Sequence, residues 1–283
     1  MNRKARERIY FLAFRACGAI VVLALVVMMW YIVQGGIGIM SVEFLTQFPR
    51  SGMLEGGVFP AIVGTVYLMV IVIAFSVPIG VLSAVYLVEY ETNSFFKKMW
   101  RVAVHNLAGV PSIVYGLLGL GLFVVVMNLG FSLLAAGLTL SLLALPMVIA
   151  ASREAIQAVP HSVREAALAL GATKWQTVRH HVLPYAMPGI LTGIILSLSR
   201  AAGETAPILF TGVAFYMPGL PDSPFSQFMA LPNHLYAMAT QSANLEATRP
   251  IQYGTALVLL LLIIGMNLVA ILLRKRYREK YRW

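Results

Sequence analysis

The sequence is poor in charge and in cysteine. Asp, Glu, Lys and Arg make up only 11% of its 283 residues, whereas a typical soluble domain has about 25%. Hydrophobic residues account for 59%, and the mean hydropathy is +0.81. The one cysteine, Cys17, lies in an apolar segment, so the chain has neither a disulfide framework nor a thiolate metal site. This balance predicts an all-α integral membrane protein.

The sequence also lacks the short motifs of common catalytic sites. It contains no phosphate loop of the GxxxxGK(S/T) type, no HExxH zinc helix and no GxSxG nucleophile turn. His180 and His181 are adjacent and point in different directions, and the other three histidines have no partner at ligand spacing. We therefore predict no catalytic residue, no metal site and no cofactor. The chain is not expected to be an enzyme.

Six apolar runs each have the roughly 20 residues that a hydrocarbon core of about 30 Å requires. They cover residues 16–33, 61–87, 102–127, 131–151, 189–213 and 253–273. The first run follows a basic N-terminus and could be a secretory signal peptide, but it is long for one and lacks an A-x-A-like cleavage site. We predict six transmembrane helices, with both chain ends on the same side.

The basic residues are distributed unequally between the two sides of such a protein. Eighteen of the 21 Lys and Arg fall in the N-terminus, the second-to-third and fourth-to-fifth connections and the C-terminal tail. Only Arg50 and Arg249 fall on the other side, and Arg200 lies within a span. The positive-inside rule then places both termini in the cytoplasm. The net charge of +10 follows from this topology and from contact with anionic membrane lipid, which argues against nucleic acid as a partner.

The fourth-to-fifth connection carries two helix-start signals and two helix-stop signals. Ser162 and Thr173 each begin a four-residue capping box. Between them, Gly171 can take the left-handed conformation that ends a helix. Pro184 is expected to end the second helix near Leu183. The pattern predicts two short rigid helices joined by a tight turn, on the cytoplasmic side.

This connection resembles the EAA loop of bacterial ABC-importer permeases, which runs EAA, three residues, G, nine residues, I, one residue, LP. The matching residues are Glu165, Ala166, Ala167, Gly171, Leu183 and Pro184. One position departs from the motif, because His181 stands where the family prefers an aliphatic side chain. The resemblance implies that the loop couples the chain to a separate ATP-hydrolysing subunit. The alternative is an amphipathic helix pair that lies on the membrane surface.

Three further segments are similar to the phosphate-specific importers, and in particular to their PstA-type permeases. They read GGVFPAIVGTVYL at 56–68, GVPSIVYGLLGLGLF at 109–123 and SRAAGETAP at 199–207. The resemblance implies a type I ABC importer permease architecture. It also implies a homologous PstC-type permease, a PstB-type ATPase dimer and a periplasmic phosphate-binding protein as partners. An inner-membrane location follows.

The same resemblance suggests a division of the chain. Residues 1–60 would hold the cytoplasmic N-terminus, a first anchor helix and an external loop. Residues 61–273 would form the permease core, with the coupling loop at 152–188, and residues 274–283 a basic cytoplasmic tail. The external loop and the proline-rich stretch at 214–252, which shows no clear periodicity, are where an extracellular partner could dock.

The fifth apolar run combines small residues with a charged pair. Its small side chains recur every fourth position and predict close helix packing: Gly189, Gly193, Ser197, Ala201 and Thr205. Arg200 is expected near the middle of the bilayer, where a charge costs about 2.5–3.5 kcal/mol and should face a cavity or a partner. Glu204 is one turn away and can neutralise it. Either the two form a structural ion pair, or Arg200 lines the substrate pathway and meets phosphate.

Other functions remain open at this point. The chain could be a permease for another oxyanion such as sulfate, molybdate or a phosphonate, because the EAA loop is common to these importers. A secondary transporter driven by an ion gradient is disfavoured, since no inverted repeat of broken helices and no series of intramembrane carboxylates is visible. A membrane scaffold that transports nothing is disfavoured by Arg200 and Glu204.

Overall fold

The computed structural model describes residues 3–50, 53, 55–242 and 244–280. The helices are α1 (Arg3–Gly36), α2 (Val42–Thr46), α3 (Phe59–Val85), α4 (Ser94–Ala108), α5 (Ser112–Gly119), α6 (Leu133–Gln157), α7 (His161–Ala169), α8 (Lys174–Thr177), α9 (Leu183–Ala202), α10 (Ala206–Leu209), α11 (Leu231–Thr240) and α12 (Leu245–Lys280). The π-helical turns Tyr86–Tyr90, Leu120–Val126 and Val178–Val182 continue α3, α5 and α8. A short antiparallel hairpin, β1 (Pro49–Arg50) with β2 (Glu55–Gly56), is added to the helical fold.

Five stretches of the described chain are long and apolar enough to cross a membrane. They are Tyr10–Ile39, Phe59–Tyr90, Leu133–Gln157, Lys174–Ala202 and Leu245–Lys280. A sixth span exists if α4 and the α5 helix with its π turn count as one, although they meet at 99°. The predicted membrane-spanning helical architecture is confirmed, with one of its six spans sharply bent.

The bend corrects the predicted third span. Residues 102–108 belong to α4, and only the part from Ser112 onward runs in the new direction. The break falls at Gly109 and Pro111, because proline disfavours helical geometry in the residue before it and lacks an N–H for the ladder. The α4 helix carries its basic residues on one face and aromatic residues on others, a pattern typical of a helix that lies along an interface.

Helices α3, α6 and α9 form the centre of the bundle. The predicted stripe of small residues on α9 packs against α6: Gly189 leaves no room for a Cβ beside Ala155, Gly193 leaves none beside Ala151, and the Ser197 hydroxyl donates to the Ala144 carbonyl at 3.2 Å. Thr205, the last predicted member, lies beyond the end of the helix. Small side chains therefore set the close approach of these two helices.

The fifth span begins earlier and ends earlier than predicted. Residues Lys174–Ala202 form one continuous span, so Pro184 does not end the second helix of the EAA loop. Within this span, the π-helical turn Val178–Val182 shifts the hydrogen-bond register just before α9 begins. Pro184 therefore lies in the first turn of α9, where a missing N–H is tolerated. The helix stops at Ala202 instead of reaching residue 213.

The stretch at 214–252 is folded and does not form a free loop. It contains α11 and the first turns of α12, and the residues that lead into α11 are fully buried: Phe228, Met229, Ala230 and Leu231. The Leu231 N–H donates to the Thr65 hydroxyl of α3 at 2.9 Å. In contrast, the 18-residue apolar core of the α1 span is unburied by the rest of the chain, and α1 meets α12 where Gly35 and Gly36 lie against Tyr253.

Candidate functional site

Residues 161–184, here called the EAA element, contain α7, a turn, α8 and the π-helical turn before α9. The predicted capping box at Ser162 is wrong, because α7 already begins at His161 and the serine lies inside the helix. Pro160 occupies the N-cap position, and its carbonyl accepts from the Val163 N–H at 3.2 Å. Proline with its fixed φ therefore starts the helix before the serine can cap it.

The turn and the second capping box are confirmed. Gly171 has φ +85°, and the N–H of Ala172 donates to the Ala167 carbonyl at 3.1 Å, which closes the end of α7. The Thr173 N–H donates to Gln176 Oε1 at 2.8 Å, and the Gln176 N–H donates to Thr173 Oγ1 at 3.3 Å. One capping box and one glycine in the left-handed conformation therefore make the connection between α7 and α8 rigid.

The motif residues of the EAA element face in two directions. Ala167 is 5% exposed and packs into the bundle, whereas Glu165 and Ala166 are on the outer face. Leu183 and Pro184 are half-buried at the start of α9. The apolar side chains beside the turn were not predicted as functional from the sequence: Leu168, Leu170 and Trp175, of which Leu170 is 90% exposed. The signal in the sequence was that apolar residues stand on both sides of a turn glycine in an otherwise polar connection, which is typical of a contact surface.

Two contacts attach the EAA element to the end of α3. The Arg164 guanidinium donates to Glu89 Oε1 from Nη2 at 2.8 Å and from Nε at 3.0 Å, and both side chains are largely buried. The remaining Arg164 donors reach main-chain carbonyls at the end of α6 and the start of α7. The Lys174 ammonium lies 5.0 Å from the centre of the Tyr90 ring. Neither contact was predicted from the sequence.

The predicted pair of Arg200 and Glu204 forms at the broken end of α9. Arg200 Nε donates to Glu204 Oε1 at 3.3 Å, with Arg200 51% exposed and Glu204 16% exposed. Among the described residues, neither Nη atom of Arg200 has a hydrogen-bond partner. The cation also lies in the last turn of the helix, where the helix dipole favours positive charge. Both Nη atoms of the guanidinium are therefore left for another ligand.

Arg200 lines a cavity of 190 Å³ between the bent α4–α5 pair and α6, together with His105, Tyr115 and Pro146. It lies one turn past Ser197, which contacts Ala144 near the middle of α6. This packing places the guanidinium close to the middle of the bundle. A charge at that depth is costly in apolar surroundings. The cavity lining is mainly apolar, with His105 and Tyr115 as the polar residues beside Arg200.

Residues 76–283 match the family of binding-protein-dependent transport system inner membrane components. Among curated relatives, phosphate transport system permease protein PstA 1 of Mycobacterium tuberculosis (strain CDC 1551 / Oshkosh) is 34% identical over 279 residues, with 97% of this chain and 90% of that protein covered. The probable phosphate transport system permease protein PstA of Methanocaldococcus jannaschii is 32% identical over 264 residues, with 93% and 92% covered.

Solved structures agree on the fold. The bacterial alginate ABC transporter in complex with alginate pentasaccharide-bound periplasmic protein has a chain that superposes with a TM-score of 0.65 at 17% identity, with 98% of this chain and 96% of that one covered. The inward-facing MetNI methionine ABC transporter gives a TM-score of 0.59 at 20% identity, with 78% and 94% covered. The molecule is a multi-pass inner membrane transport component, not an enzyme. The chain belongs to the binding-protein-dependent transport system inner membrane components, and its relatives place it among the PstA-type ABC permeases.

Proposed function

We propose that the chain is the permease subunit of an ATP-driven importer of inorganic phosphate, and that Arg200 and Glu204 line its translocation path. The observation that carries this proposal is the Arg200 guanidinium, which faces a cavity in the middle of the bundle with both Nη atoms unpartnered among the described residues. A guanidinium fork suits the oxygens of phosphate. The relatives named as phosphate permeases supply the identity of the anion.

The EAA element is the contact with the ATPase in this proposal. Leu170 precedes and Trp175 follows a turn that Gly171 and the Thr173 capping box hold rigid. Exposed apolar side chains beside a rigid turn suit a cleft in another protein. Through Arg164 and Glu89, a movement of this element reaches α3 directly. The expected partners are a PstB-type ATPase dimer, a homologous PstC-type permease that completes the path and a periplasmic phosphate-binding protein on the opposite face.

The proposal includes an orientation with both termini and the EAA element in the cytoplasm, since eighteen of the 21 Lys and Arg fall on that side. It keeps the division into an anchor region at 1–60, a permease core at 61–273 and a basic tail at 274–283. In a Cys17→Ser background, Thr173→Cys should resist a membrane-impermeant thiol reagent in intact cells and Ser223→Cys should react. Labelling of Thr173→Cys from outside would reverse the orientation. Ser51, another position predicted to be external, lies outside the described residues.

Phosphate uptake by charge variants of the α9 pair tests the function. If the pair is only structural, Arg200→Gln combined with Glu204→Gln should transport normally, because neither charge is left without its partner. If Arg200 meets the anion, this double variant should assemble with its partners and fail to take up phosphate, and excess sulfate should not compete with phosphate in the unmodified importer. Arg249→Gln, an exposed arginine outside the cavity, is the matched control. If the double variant took up phosphate at the rate of the unmodified importer, Arg200 would not be a contact for the anion.

A further inference from the structure

A second cavity lies at the end of the bundle next to the EAA element. Its volume is 60 Å³, which is room for about four to six atoms the size of a water molecule at 10–15 Å³ each. The ionisable residues that line it are all of the basic type: Lys97, Arg101, His105 and Arg153. Leu87 in the π-helical turn after α3 and Gln157, the last residue of α6, also line it.

The basic residues converge from two helices. Lys97, Arg101 and His105 follow one another at intervals of four along α4, so they share one face of that helix. Arg153 comes from the last part of α6. Among the described residues none of the three Lys and Arg side chains has an ion pair, and the Nε of Arg153 is buried without a hydrogen-bond partner. Like charges at this spacing destabilise a helix, and a buried donor without an acceptor is costly.

The second cavity adjoins the Arg200 cavity. Val104, His105 and Ala150 line both of them. His105 therefore stands between the arginine in the middle of the bundle and the basic cluster at the end that carries the EAA element. A negatively charged group that leaves Arg200 toward that end would meet this cluster next.

We propose that Lys97, Arg101, His105 and Arg153 form a binding site for a phosphoryl oxyanion, separate from the Arg200 site. Several cationic donors around a small cavity with no acidic lining residue favour a compact polyvalent anion over a large organic one. The choice of phosphate rests on the function proposed above. The same chemistry fits the phosphate group of an anionic lipid, because α4 has the amphipathic pattern of an interfacial helix.

Protection of a cysteine at the rim tests this site without any measurement of transport. Gln157→Cys is made in a Cys17→Ser background, since Gln157 is exposed and lines the cavity. The importer is purified with its partner subunits in nanodiscs of phosphatidylcholine, and the rate of thiol labelling is measured while inorganic phosphate replaces chloride at constant ionic strength. We expect labelling to slow by about fivefold when phosphate is present at four times its dissociation constant. Nanodiscs with added phosphatidylglycerol and no phosphate form the second arm.

Two variants of this reporter decide the result. Lys97→Gln combined with Arg101→Gln should abolish the protection, whereas Lys98→Gln, a neighbouring lysine that does not line the cavity, should keep it. Protection by phosphate in phosphatidylcholine identifies a site for the free ion, and protection only by phosphatidylglycerol identifies a lipid headgroup site. Equal labelling rates under all conditions would overturn the proposal. Loss of uptake in Arg200 variants concerns the other cavity, so the two proposals can fail separately.

Discussion

Arg164 in α7 and Glu89 in the π-helical turn after α3 form an ion pair of 2.8 Å across 75 positions of the sequence. Their side chains are 13% and 9% exposed, so the pair is shielded from water. It ties the EAA element to the central three-helix bundle. A push on the element therefore acts on α3 without passing through a flexible connection.

Removal of one member of this pair should destabilise the protein strongly. Arg164→Leu or Glu89→Leu alone leaves a buried charge without its partner, which costs about 3–5 kcal/mol. The double variant should lose less than the sum of the two single variants, because no lone charge is left. The measurement is the free energy of unfolding in detergent for the four proteins of the cycle.

The exposed pair of Lys275 and Glu279 provides the control for that cycle. Its side chains are 73% and 60% exposed and its atoms are 4.0 Å apart. Such a pair contributes about 0–1 kcal/mol, so substitution of either residue by Ala should change stability little. A coupling energy for Arg164 and Glu89 as small as that of this pair would contradict the proposed attachment.

The backbone conformation that a residue can adopt, and not the size of its side chain, should decide which substitutions Gly171 tolerates. A Cβ at this position meets no atom within 4 Å, but φ is +85°, and a β-branched residue is strongly disfavoured there. Gly171→Val should insert into the membrane normally and lose phosphate uptake. Gly171→Asn, which accepts the left-handed conformation better, should retain much more of it. Uptake that is equal in the two variants would show that the turn geometry does not matter for coupling.

Of the two predicted capping boxes, the one at Thr173 is present and the one at Ser162 is absent. Thr173→Ala removes an observed cap and should cost about 1 kcal/mol of local helix stability, seen as faster hydrogen exchange of the amides of α8. Glu165→Ala removes no cap, because Ser162 lies inside α7, and exchange in α7 should be unchanged. If Glu165→Ala nevertheless lowers ATPase binding, its exposed carboxylate contacts the partner. Faster exchange in α7 would instead restore a capping role for Glu165.

His234 in α11 should make stability depend on pH. The side chain is 2% exposed, and burial lowers its pKa from 6.5 to about 4. The unfolded chain therefore binds a proton at a higher pH than the folded one, so its contribution is complete above about pH 6.5 and is lost as the pH falls toward 4.

Thermal unfolding in detergent between pH 8 and pH 4 measures this effect. The full loss is roughly 3 kcal/mol, and His234→Gln should flatten the low-pH part of the curve. His180→Gln, an exposed histidine, should leave it unchanged. Identical pH profiles for all three proteins would show that His234 is not protonated on unfolding.

Features that depend on near neighbours in the chain could be predicted from the sequence. The Thr173 box and the Gly171 turn each involve residues within a few positions, and the Arg200–Glu204 contact follows from their spacing of four. The failures within this range came from competition between local signals. Pro160 takes the N-cap position of α7, which was predicted for Ser162. A π-helical turn before Leu183 allows the helix to continue through Pro184.

The sequence by itself determined the membrane class, the apolar spans and the EAA motif, because hydropathy and short-range spacing are written along the chain. Only the tertiary structure decided which distant residues meet. Glu89 reaches Arg164 because α3 and the end of α6 lie side by side, and α4 brings its basic face to Arg153 because the chain turns by 99° after Ala108. Such contacts depend on how helices pack against each other. Packing requires that the surfaces of two distant segments fit together, and neither segment alone specifies this fit.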